Sequence, residues 1–248
     1  MSKDHKLEVH MQDGVAEVVF WSKKANSLPR EILTELASEI TRLGELPDVR
    51  VIVIGSEGEG AFCAGASFDE LKEIDTFDKG KHFFMGFAEV ILAIRNVPKF
   101  VIARVHGKAV GGGVGIAAAA DYALAHVSAS VKLSELDLGL GPFVVGPAVE
   151  RKIGLSQFSA LSMDTEWRDA DWALHNGLYN LLADSYADLD EALVGVTRKL
   201  VNGSGEAMKS LKKVLWEGTE NWESLLEERA EISGRLVTSS FTKSFLSA

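Results

Sequence analysis

The chain is short of most features that would place it outside an ordinary globular fold. It has one cysteine, Cys63, among 248 residues, so no internal disulfide forms and no cysteine-based zinc site is available; no metal is expected. No apolar run approaches the ~18 residues that span a bilayer. Met1-Ser2-Lys3-Asp4-His5 has no apolar segment behind it, so no signal peptide is expected and the cytoplasm is the expected location. Positive charge is scarce: 26 Lys and Arg against 36 Asp and Glu give a formal net charge of −10. That balance argues against nucleic acid or an anionic membrane as the main partner. An anionic small ligand stays open, provided a few Lys or Arg side chains meet it locally. Low-complexity tracts, disordered linkers and fixed-period repeats are also missing.

What remains is enough for a large core. A hydrophobic content of 46% with 25% charged is ordinary for a soluble protein, and the length favours one domain with a small appendage. Leu7, Val9 and Met11 alternate with polar residues, and Asp13-Gly14 then turns the chain into Ala16, Val18 and Phe20, predicting a hairpin with a type I′ turn. Ile32, Leu33, Leu36, Ile40 and Leu43 recur at helical spacing. Val49–Ile54 reads as a strand stopped by Gly55, and an acidic segment runs from Asp69 to Asp75. Residues 77–96 carry Phe84, Phe87, Ala88, Ile91 and Ile94 on one helical stripe, which Pro98 ends. After Gly154 the chain reads as helices, apart from a short strand at Tyr179–Leu182, with Leu211, Leu215, Leu225 and Leu226 among the residues marking apolar faces. The alternation of strands and helices up to that point predicts an α/β fold.

The chain is organised around residues 106–121. Phe100–Val105 reads as a buried strand; the glycines Gly111, Gly112 and Gly113 follow, and Ala-rich sequence then favours a helix. A strand that empties through adjacent glycines into a helix leaves bare backbone N–H groups facing a ligand. Such groups suit an oxyanion or a developing enolate. The competing reading is a tight turn in which small residues let helix and sheet pack closely.

Three segments converge on one family. Phe62-Cys63-Ala64-Gly65-Ala66 follows a strand and a glycine loop, the triple glycine is the second, and Val131–Leu136 followed by Gly139 and Gly141-Pro142 is the third. Together they resemble the crotonase (enoyl-CoA hydratase/isomerase) superfamily over about residues 7–248. The resemblance implies a crotonase-like ββα spiral core over residues 1–190 and a helical C-terminal oligomerisation region over 191–248. It also implies a homotrimer or homohexamer and an acyl-CoA substrate. No cofactor is implied beyond the coenzyme A of the thioester itself. By the same resemblance the N–H groups of Ala66 and Gly112 hold the thioester oxygen while the adjacent carbon becomes an enolate. Lys24-Ala25-Asn26-Ser27-Leu28 resembles the segment that holds the adenine and phosphates of CoA, with Ala25, Ala64 and Phe68 lining that groove and Lys23 or Lys24 near phosphate. Phe241–Phe245 resembles the family tail, which often reaches a neighbouring subunit's CoA; the competing reading is a frayed terminus.

Glu135 is the expected acid/base. If 131–137 is extended, Val131, Leu133, Glu135 and Asp137 share one face, and a carboxylate continuing an apolar face is poised for proton transfer near neutral pH. Glu135 also falls where the family places one of two catalytic glutamates. The other position, two residues after the triple glycine, is Gly115 here, and the usual Ala-Gly-Ala-Asp ends in Ser67. Hydration normally needs two groups, whereas moving a double bond from the 3,4 to the 2,3 position needs one carboxylate that removes a proton and returns it two carbons away. A lone Glu135 therefore favours isomerisation, with hydration, decarboxylation and a binder without turnover as alternatives. His82, Glu73 or Glu89 are candidates for a second group. Gly141–Pro147 replaces a glycine- and Thr-rich turn of the family, so an unusual acyl pocket is expected. Two rival motifs are weaker. Gly113–Ala118 satisfies G-x-G-x-x-A, but the helical second half does not continue a dinucleotide fold. Gly65-Ala66-Ser67-Phe68-Asp69 misses the last glycine of a hydrolase elbow.

Overall fold

The computed structural model describes residues 4–247. Strands β1 (His5–Gln12) and β2 (Val15–Ser22) form the expected hairpin, with Asp13 and Gly14 both at positive φ (50° and 82°), as a type I′ turn requires. Helix α1 (Arg30–Glu45) follows, its five-residue apolar stripe fully buried. Strand β3 (Val51–Ser56), short helix α2 (Phe68–Glu73), long helix α3 (Phe77–Asn96) and strand β4 (Phe100–Val105) come next. After them lie β5 (Ala109–Val110), α4 (Gly112–Ala119), β6 (Tyr122–His126) and β7 (Ser130–Lys132). The second half holds α5 (Gly146–Asp164, broken at Gly154), β8 (Arg168–Asp169), α6 (Ala170–His175) and β9 (Leu181–Ala183). Helices α7 (Tyr186–Val201), α8 (Gly205–Leu215), α9 (Trp222–Leu236) and α10 (Ser240–Ser247) complete it. Among the described residues no helix is long and apolar enough to cross a membrane.

The main sheet runs β1-β2-β3-β4-β6-β9, parallel except for the first hairpin, and a second sheet runs β5-β7-β8. The apolar run of β3 is explained by burial on both faces. Ile52 and Ile54 join the core under α1 and α3, while Val51 and Val53 point to the opposite face, against α7. The C-terminal helices join these cores. Helix α9 lies against α3 at a glycine crossing: a Cβ on Gly80 would stand 2.9 Å from Gly234 Cα, so any side chain there would force the helices apart. Helix α8 is held by Lys212, whose buried ammonium donates to the Ile94 and Lys99 carbonyls and to Asp121 Oδ2 (2.7, 2.7 and 2.9 Å). Asp121 also accepts from Val101 N and from Trp216 Nε1.

Four readings need correction, and one segment to which the sequence assigns no element holds a helix. Strand β3 does not stop at Gly55 but runs through it to Ser56, because Gly55 pairs in register with Val19. Residues 131–137 are not extended: β7 ends at Lys132, and Leu138 N and Leu140 N bond back to the Glu135 carbonyl, closing a turn that Gly139 leaves at φ 75°. The acidic segment contains α2, capped by Ser67, whose hydroxyl accepts from Glu70 N. On α8 the buried residue is Lys212, while Leu211 and Leu215 are about half exposed. The tail is not frayed: Thr242 is buried and donates to the Gly139 carbonyl, and Lys243 reaches the carbonyls at the end of α2.

Candidate active site

Each of the three adjacent glycines meets a different obstacle. A Cβ on Gly111 would stand 2.8 Å from Glu135 Oε1, and that residue also needs φ 50° with ψ −111°. A Cβ on Gly112 would penetrate the Phe87 ring at 2.1 Å, and one on Gly113 would strike the Cys63 carbonyl at 2.5 Å. The reading of the motif as a tight turn whose small residues allow close packing therefore holds. The glycines let α4 close onto α3 and onto residues 62–65, and they leave the first N–H groups of α4 uncovered.

Residues 62–66 are laid beside that helix start by two isolated bridges, Cys63 to Ala109 and Leu28 to Ala66. In the second, Leu28 N donates to the Gly65 carbonyl (2.7 Å) and Ser67 N donates to the Leu28 carbonyl (3.1 Å). That pattern engages the neighbours of Ala66 and turns the Ala66 N–H to the other side of the segment. Gly65, at φ 84°, has no room for a side chain: its Cβ would lie 2.9 Å from the Val110 carbonyl and 3.5 Å from Gly112 N. Ala66 and Gly112 thus present two N–H groups from adjacent segments, neither bonded to a protein acceptor among the described residues. Both residues line one cleft, of about 560 Å³ counted out to its mouth.

Glu135 enters the same cleft from the turn after β7. Its Oε2 is enclosed and has no hydrogen-bond partner. Burial pushes the carboxyl up to about 7, against the opposing pull of the Glu135 and Ser134 N–H groups. Among the described residues every other one lining the cleft is uncharged, and Ser134 and Ser233 are the other polar side chains. Asp137, which the extended reading placed on the same face, is turned away by the helical turn; it accepts from Thr165 Oγ1 at 2.8 Å and lies 3.5 Å from Lys132 Nζ. His82 and Glu73 are exposed, and Glu89 pairs with Arg30 at 2.6 Å. The structure brings none of these three to the cleft.

Position 115 is closed. A Cβ on Gly115 would stand 2.4 Å from Val145 Cγ1 and 2.6 Å from Val145 Cβ, so Val145 fills the space into which a side chain there would grow. Val145, Phe143 and Val144 form one wall of the cleft, and Phe84 and Phe87 of α3 form another. Sequence reasoning flagged 141–147 as unusual but did not see that Val145 occupies the Gly115 side. Ser233, from α9, was missed entirely; one serine in an amphipathic helix carries no local signal.

At the rim, Ala64 and Phe68 line the cleft, whereas Lys24 and Ala25 stand outside its lining. Ala64 N donates to the Ala25 carbonyl (3.1 Å), and Ala25 and Asn26 both adopt positive φ. Buried Asn26 pins this conformation: its amide donates to the Glu57 and Ala61 carbonyls and its oxygen accepts from Ser22 N. The loop therefore exposes Ala25 and Lys24, whose Nζ meets Asp69 Oδ2 at 2.5 Å beside Phe68. Ser67 serves as the α2 cap, not as the nucleophile of an elbow.

Comparison with known proteins gives the arrangement a context. Residues 10–244 match the model of the family described as enoyl-CoA hydratase/isomerase. The chain is 29% identical over 199 residues to the short-chain-enoyl-CoA hydratase of Clostridium acetobutylicum, covering 80% of this chain and 76% of that one. Enoyl-CoA hydratase from Bacillus halodurans shares the fold, with a TM-score of 0.90 at 22% identity over 97% of this chain and 98% of that one. Enoyl-CoA hydratase from Mycobacterium smegmatis superposes with a TM-score of 0.82 at 27% identity, covering 92% of this chain and 88% of that one.

Proposed function

The chain belongs to the enoyl-CoA hydratase/isomerase family, and from that premise we propose that it moves a double bond along the acyl chain of an enoyl-CoA, with Glu135 as its single acid/base. At the coarser level it is an acyl-CoA enzyme of that family. The isomerase reading rests on one observation: the cleft holds one carboxylate, while the space beside position 115 is filled by Val145.

In this reading the thioester oxygen of a 3-enoyl-CoA sits between the Ala66 and Gly112 N–H groups. Glu135 takes a proton from the carbon beside the thioester, and the electron pair moves onto the oxygen. The two aimed donors and the start of α4 stabilise that charge by several kcal/mol in a cleft lined mostly by apolar side chains. Glu135 then returns the proton two carbons further along, leaving a 2-enoyl-CoA. Lys24, Ala25, Ala64 and Phe68 hold the CoA moiety at the rim, supported by the exposure of the 24–25 loop and its bond to Ala64. The reading carries with it a cytoplasmic trimer or hexamer that uses no further cofactor.

The test pairs a 3-enoyl-CoA with the matching 2-enoyl-CoA, on the protein and on Glu135→Gln. Isomerisation is expected, and the variant should lose about 10²–10⁴-fold of it while still binding the thioester. Faster hydration of the 2-enoyl-CoA would replace this reading with the activity named for the relatives above. Thioester binding with neither reaction would make the protein a non-catalytic member of the family.

A further inference from the structure

A second chamber lies behind the wall of the cleft. It opens to solvent, measures about 790 Å³ counted out through its mouth, and shares Pro142 and Phe143 with the first. The Phe143 ring is folded back over Gly141, where a Cβ would stand 2.6 Å from it, and with Pro142 it lines both spaces. They also share a floor. Ser233 lines the cleft and Arg229 lines the chamber, four residues apart on α9, hence on one face and about 6 Å apart along the axis.

Arg229 is unusual among the cations of this region. It is partly buried, and its guanidinium forms no ion pair or hydrogen bond among the described residues. Nearby Lys81, by contrast, is engaged by Glu227 and Glu231 on the same helix. The Ser159 hydroxyl in the chamber is likewise free, whereas Ser162 is spent on the Phe158 carbonyl. The chamber's one acidic side chain, Glu150, is exposed and forms no ion pair with Arg229. A free guanidinium in a space whose other charged side chain is the exposed Glu150 matches a carboxylate, to which it can donate two parallel N–H bonds.

We infer that the chamber behind Phe143 receives the far end of the acyl group and that Arg229 selects substrates ending in a carboxylate, the monothioesters of dicarboxylic acids. This rests on the acyl-CoA assignment of the neighbouring cleft but not on which reaction occurs there. The test therefore uses binding alone, with saturated thioesters that no double-bond chemistry can consume. Adipoyl-CoA and hexanoyl-CoA have the same chain length and differ at the far end. The expected result is that adipoyl-CoA binds at least ~10-fold more tightly, and that Arg229→Met brings it down to the affinity of hexanoyl-CoA. Arg229→Lys should retain part of the preference, since it keeps the charge but loses the fork. Thermal melting of each variant confirms that it is folded. Equal binding of the two thioesters, or an Arg229→Met variant that weakens both by the same factor, overturns the inference. Binding of neither would bring down the acyl-CoA reading of the cleft and this inference with it.

Discussion

The Glu135 carboxyl is held near 7 by burial, which fixes how its chemistry and its cost depend on pH. As a base it must be ionised, so kcat/KM for isomerisation should rise with pH, bend near 7 and level above it; a pH–rate profile checks this. The stability effect runs the other way. A carboxyl with its folded value above its unfolded one stabilises the fold fully below the unfolded value of about 4.5, and that contribution is lost as pH rises through 7. Glu135→Gln should therefore melt at the same temperature as the parent at pH 4.5. At pH 8 it should be more stable by about 1–3 kcal/mol, because the amide removes a buried charge. A variant less stable at pH 8 would show the carboxylate to be paired in solution.

At the scale of the elements, the chain is tied together by a buried ion pair between α8 and the end of α4. The side chains of Lys212 and Asp121 are 3% and 5% exposed, and Asp121 also caps Val101 N and Trp216 Nε1. Lys212→Met would leave that carboxylate buried with an unbalanced charge, and urea unfolding should show a loss of about 3–5 kcal/mol. Local pattern served the sequence reading wherever an element's environment was uniform along its length. The hairpin was legible from its Asp13-Gly14 turn, and α1, α3 and β4 were legible because each buries an apolar stripe or face. It failed at Glu135, where alternation suggested a strand but bonds back to the Glu135 carbonyl and positive φ at Gly139 make a turn. It failed again on α8, where the buried polar contact of Lys212 outweighs the apolar stripe. Ala66, Gly112 and Glu135 are singled out by short motifs, but the closing of position 115 depends on Val145, thirty residues away, and no period reports such a contact.

For the whole molecule, the apolar strip on α8 remains to be covered. Leu211, Val214 and Leu215 are each about half exposed, adjacent in a helix that is otherwise docked by Lys212. Surfaces of this kind mark protein contacts, in keeping with the trimer or hexamer proposed above. Light scattering should give three or six times the chain mass of 26.8 kDa. Leu215→Glu should shift the mass toward that of a single chain, and a native protein of single-chain mass would remove the oligomer from the proposal.

The floor of the cleft has a consequence for how the protein is made. Ser233 closes the cleft from α9, and Thr242 steadies the turn after Glu135 through the Gly139 carbonyl. A ribosome delivers residues 62–145, with both donors and the carboxylate, long before it delivers these. The cleft is thus complete only late in translation: a nascent chain stalled ahead of residue 233 would carry Ala66, Gly112 and Glu135 without the α9 and α10 residues that close around them.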